Sequence, residues 1–126
     1  MRRPAIALAV LALAACASAT HSASTSTFNK EMKQGVAAAA RGYWQEALFR
    51  FERARALAPD DARMLNNLAI ACEALGRYDD ALAAYKRAVA LDPKDSTIKH
   101  NYARFAEFYT SYAKGTKPKE RKDAQR

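Results

Sequence analysis

The chain has 126 residues, half of them hydrophobic, and its 21 lysines and arginines against 13 aspartates and glutamates give a formal charge of +8. That length holds one small domain, and much of the apolar content is alanine with no strand-like runs of β-branched residues, which argues against a sheet. Cys16, Cys72, His21 and His100 are the only cysteines and histidines, and their spacing matches neither a zinc site nor a disulfide framework.

The first element is an address. Met1-Arg2-Arg3 is a positive start, and Pro4 to Ala15 is apolar but shorter than the ~20 residues that span a bilayer. Charge, apolar block and small residues fit a secretory leader over residues 1–15. Leu13-Ala14-Ala15-Cys16 resembles the lipobox of bacterial lipoproteins. The resemblance implies a diacylglycerol on the Cys16 thiol, acylation such as palmitate at the new N-terminus, and stable attachment through more than one chain. It also implies an envelope location on the periplasmic face of the outer membrane, because Ala17 stands where aspartate would retain a lipoprotein at the inner membrane. The competing reading is an ordinary leader cut near Ala19. Residues 16–27 then form a flexible tether, since Ala17 to Thr27 has no apolar face, with an r.m.s. span of roughly 18 Å.

Phe28 starts the folded part. A helix is expected to Arg41, with Asn29 as one candidate cap, then a turn at Gly42 and a second helix from Tyr43 to Ala58, stopped by Pro59. The same text returns thirty-four residues later. Gly42, Trp44, Ala47, Phe51, Ala54 and Pro59 align with Gly76, Tyr78, Ala81, Tyr85, Ala88 and Pro93. A fixed period of this length marks stacked helical hairpins. The alanines, Ala69 among them, are expected at helix crossings and the aromatics beside them. Asp60 or Asp61 and Asp95 or Ser96 are placed to cap the helices that follow. The four glycines read as turn or end residues, and Cys72 as a small buried side chain with no basic neighbour to lower its pKa.

This order of glycine, aromatic, alanine and proline resembles the tetratricopeptide repeat. The resemblance covers Phe28 to about Tyr112 and implies an all-α, right-handed solenoid: repeats at 28–61 and 62–95, then a third-repeat-like helix at 96–113. In that last helix Asn101, Ala103, Glu107 and Tyr112 repeat Asn67, Ala69, Glu73 and Tyr78, but Thr110 replaces the turn glycine. One longer capping helix ending at Gly115 is therefore expected, with Tyr102, Phe105, Tyr109 and Tyr112 covering the last apolar face. Should that cover fall short, Phe108 and its neighbours would support a homodimer or dock a partner.

No enzyme is legible: neither a phosphate-binding loop nor a nucleophile–base set occurs, and no cofactor or metal is expected. The resemblance instead implies an interaction scaffold whose concave groove is lined by the first helix of each repeat. The groove residues by register are Lys33, Arg63, Asn66, Asn67, Ile70, His100, Asn101 and Arg104, with Asn29, Met32, Val36 and Thr97 beside them. The partner is an unidentified protein or peptide, met in pilus, secretion or envelope assembly. Of the family's carboxylate-clamp residues only Asn67 matches. The tail 114–126 is basic, without apolar pattern, and expected to be disordered. It supplies the alternative reading, a module binding anionic lipid or cell-wall polymer. Nucleic acid is not expected, because export removes the protein from it.

Overall fold

Two glycines turn the chain back on itself. In the computed structural model, which describes the backbone of residues 7–115 and the side chains of residues 22–115, Gly42 and Gly76 take φ of +77° and +73°. Around each, the helix end closes with the paired bonds of a Schellman cap: Tyr43 N–H donates to Ala38 O at 3.0 Å and Gly42 N–H to Ala39 O at 2.9 Å, while Arg77 and Gly76 repeat the pattern onto Cys72 and Glu73. An L side chain is strained at this φ, so glycine is what lets the hairpins form.

Five helices result: α1 (Ala7–Ala40), α2 (Trp44–Leu57), α3 (Ala62–Ala74), α4 (Tyr78–Leu91) and α5 (Ser96–Ala113). No strand occurs among the described residues. Asp61 caps α3 by accepting from Met64 N–H at 2.8 Å, and Asp95 caps α5 by accepting from Ile98 N–H at 3.0 Å. Asp60 does not cap; it pairs with Arg87. α5 runs unbroken through Thr110, whose hydroxyl donates to Ala106 O, and it ends before Gly115 at φ +68°.

α1 departs from expectation. It begins at Ala7 rather than Phe28, so residues 17–27 are helical rather than an irregular tether, and Asn29 lies inside the helix instead of capping it. No proline or glycine interrupts the stretch between Pro4 and Gly35, and a helix already nucleated by a packed segment extends into the serine- and threonine-rich residues 17–27 without a new nucleation cost. Thr27 Oγ1 donates to Ala23 O at 3.0 Å, a bond that the helical backbone supplies. Residues 22–27 are otherwise mostly exposed, so helix propagation rather than packing carries this part. Arg2, Arg3 and the tail beyond Gly115 lie outside the described residues. Among those described, no helix is long and apolar enough to cross a membrane.

The hairpins stack in order. α2 packs on α3 and α4 on α5; α1 also adjoins α3, and α3 adjoins α5, whereas α2 and α4 do not approach one another. The first helices of successive hairpins are thus neighbours and the second helices splay, which curves the stack with α1, α3 and α5 on its inner side. Ala47, Ala54, Ala69, Ala81 and Ala88 are fully buried at the crossings, with Phe51 and Tyr85 filling the space beside them. Trp44 and Tyr78 are half-buried. α5 closes the far end: Phe105 is fully buried, with its ring centroid 5.2 Å from that of Tyr85 and 5.9 Å from that of Tyr109.

One glycine has a role its sequence position conceals. Gly35 lies inside α1, and a Cβ there would meet the Phe51 ring at 2.5 Å. It is a packing residue, not a turn residue, because only a bare Cα lets α1 approach that ring.

Candidate interaction face

Because α1, α3 and α5 share one register, residues thirty-four apart form rows across the inner side. One row is Asn29, Arg63 and Thr97; the next is Lys33, Asn67 and Asn101; a third is Val36, Ile70 and Arg104; Met32, Asn66 and His100 form a fourth. Lys33, Arg63 and His100 are exposed, Asn67 and Ile70 half-buried, and Val36 is 50% exposed.

Three expected groove residues prove to be committed elsewhere. Asn66 is 6% exposed. Its Oδ1 accepts from Asn101 Nδ2 at 3.0 Å, and its own Nδ2 donates to Asn67 Oδ1 at 3.4 Å. Asn66 therefore ties α3 to α5 and is not offered to a partner, and Asn101 gives its amide to that tie. Arg104 forks onto Glu73, with both bonds at 2.9 Å. Asn101→Ala leaves Asn66 Oδ1 buried without a donor, which costs about 1–3 kcal/mol. We expect a lowered melting temperature by circular dichroism, whereas Asn67→Ala, which removes only the longer 3.4 Å acceptor of Asn66 Nδ2, should lower it less.

Glu73 was not singled out by its sequence position. It also accepts from Tyr85 Oη at 2.9 Å, so one carboxylate joins α3, α4 and α5. Burial first, and the Glu73 charge second, hold the Tyr85 phenol well above the usual tyrosine range, while its bond to Glu73 raises Arg104 further. Below pH ~10 Tyr85 is neutral folded and unfolded. As pH rises past that value the unfolded chain releases the proton and the folded chain keeps it, so stability falls with pH. Tyr85→Phe should remove part of this loss between about pH 10 and 11 in denaturant titrations. Tyr109, raised by its bond to Asp79, leaves a remainder.

Glu31 plays the matching part in the first hairpin. It is 3% exposed and pairs with Arg53 at 3.0 Å and Arg50 at 3.3 Å, fastening α1 to α2. The one usable sequence signal was a lone acid on a face otherwise bound for the core.

The opposite side of α3 carries a different feature. Where α2 and α4 splay, they leave a cleft of about 440 Å3, floored by Leu65, Leu68 and Cys72 and rimmed by Arg55, Arg77 and Asp80. Positions 65, 68 and 72 lie about half a turn from 63, 67 and 70, so this cleft is on the outer side. Cys72 does have basic neighbours, Arg77 and Arg55, contrary to expectation. Burial nevertheless outweighs both and pushes its thiol up, so it stays protonated and unreactive at neutral pH. No cluster of three or more His, Cys, Asp or Glu suited to a metal ion occurs among the described residues.

The sequence pattern described as tetratricopeptide repeat matches residues 32–96, more than half of the chain. The chain belongs to the tetratricopeptide repeat family. No curated protein matches it. Repeats of this family generally mediate protein–protein interaction, and the family is typically a non-enzymatic scaffold. The solenoid of hairpins and the inner face described above are the framework on which that role rests.

Proposed function

We propose that the protein is a non-enzymatic adaptor of the bacterial envelope that holds a partner protein on the inner face of its repeats. The observation that carries this reading is the apolar row of exposed Val36 and half-buried Ile70 in neighbouring helices, beside the half-buried Asn67. Val36 extended by the accessible side of Ile70 on a concave face gives a partner an apolar seat. Asn67 adds a free amide donor for an extended backbone. The envelope placement is supported by the positive start, the short apolar run and Leu13-Ala14-Ala15-Cys16. Roles in pilus, secretion or envelope assembly suit such an adaptor.

A photo-crosslinking probe at Asn67 in the native envelope is expected to capture a discrete partner, and Val36→Asp to abolish capture. Equal capture from a probe at Glu52, on the outer side, would refute the groove. Metabolic labelling with palmitate tests the anchor, with Cys16→Ser expected to lose the label and release the protein from membranes. Deleting residues 116–126 separates the adaptor, which keeps its partner, from a surface binder acting through the tail. A dimer through α5 has only the edge of the cluster to use, since Tyr112 is open while Phe108 packs against Tyr78; sedimentation should show a monomer.

A further inference from the structure

Along α1 and α3 the inner face is electrically one-sided, and the fold makes it so; α5 adds an exposed acid, Glu107, about one turn beyond Arg104. α3 and the part of α1 with described side chains each contain one acidic residue, Glu73 and Glu31, and both are held by arginines. Arg104, the cation that lay on the Val36–Ile70 row, is used up in the same way. What remains unpaired across the rows is Lys33 and Arg63, about one helical turn from Val36 and two from Ile70 respectively. The aspartates at the lower mouth, near Arg63, already accept bonds: Asp60 from Arg87, Asp61 from Met64 N–H, Asp92 from Lys94 N–H and Asp95 from Ile98 N–H. They bound the site and set its polarity.

Resting on the groove reading above, we infer that the occupant is an internal acidic segment of a protein. It seats one large apolar residue on Val36 and Ile70 and places carboxylates toward Lys33 and Arg63, short of the aspartates. Complementary charge then selects and orients the segment, while the apolar residue supplies affinity. A free C-terminus is not required, because the groove has no cluster of cations and amides converging on one point. A basic segment meets Lys33 and Arg63 with like charge and is rejected.

The test is selection of displayed dodecamers on the full-length chain, followed by binding of the enriched peptides made with amidated C-termini. The expected result is enrichment of net-negative dodecamers carrying a large aliphatic or aromatic residue. Their affinity should fall at least tenfold for the Lys33→Glu/Arg63→Glu variant and for Val36→Asp, and should weaken with salt. These residues are exposed, so circular dichroism should show the variants folded. No enrichment over a blank surface, enrichment without negative charge, or affinity unchanged by charge reversal overturns the inference. The two layers separate by site. Non-acidic peptides that crosslink to a probe at Asn67 leave the groove standing and remove its acidic preference. Peptides that crosslink instead to a probe at Glu52 remove both.

Discussion

Phe105→Ala is expected to destabilise the protein by about 3–5 kcal/mol, the usual loss for a buried phenylalanine with partial collapse of the cavity. The ring is wholly buried and lies against Tyr85, Tyr109, Phe108 and Tyr78, with centroids 5.2 to 6.4 Å apart. Removing it strips the cover from α4, and a domain of this size has only about 5–15 kcal/mol to lose. Thermal melts should show a large fall in midpoint or a loss of cooperativity. Tyr112 touches the same cluster but is 55% exposed. Tyr112→Ala should therefore cost less than about 1 kcal/mol. Equal losses at the two positions would mean that α5 does not close the solenoid.

Gly35→Ala is the second large effect, and its sign is the informative part. In an exposed helix this change gains about 1 kcal/mol. Here the new Cβ meets the Phe51 ring at 2.5 and 2.8 Å, and overpacking costs about 1–3 kcal/mol. Phe51 is itself buried beside Ala47 and Ala54, so the ring has little room to retreat. A net loss of about 1–2 kcal/mol follows in denaturant unfolding. Phe51→Leu in the Gly35→Ala background should recover part of it, giving a favourable coupling in the double-mutant cycle. A stabilised Gly35→Ala protein would show that α1 and α2 are less closely packed than described.

Both variants act on the scaffold, while the side chains left open on the inner face are a smaller set than the register suggests. Lys33, Arg63, Asn67, Ile70 and His100 remain available, with Val36 at the centre. Asn66, Asn101 and Arg104 hold α5 in place instead. Substituting Asn67 and Asn101 together would therefore confuse lost binding with lost stability, and Asn67 alone, which gives up only the 3.4 Å bond from Asn66, is the milder probe.

The helical hairpins were legible in the chain itself. The thirty-four-residue period, the glycines at 42 and 76, the prolines at 59 and 93 and the alanines at each crossing act through backbone φ, missing donors and side-chain size. Such constraints operate over a few residues and need no knowledge of distant partners. The start of α1 is not legible in the same way, because local propensity over residues 17–27 is weak and the helix there is continuous with the packed segment that follows.

Which polar side chains are free was decided only by the tertiary structure. Asn66 meets Asn101 across 35 residues and Glu73 meets Arg104 across 31, so each pairing depends on how closely α5 lies against α3. Gly35 and Phe51 likewise meet only when α1 and α2 cross. Periodicity says which face a residue is on, but only the distance between two packed helices says whether its donors and acceptors are already satisfied.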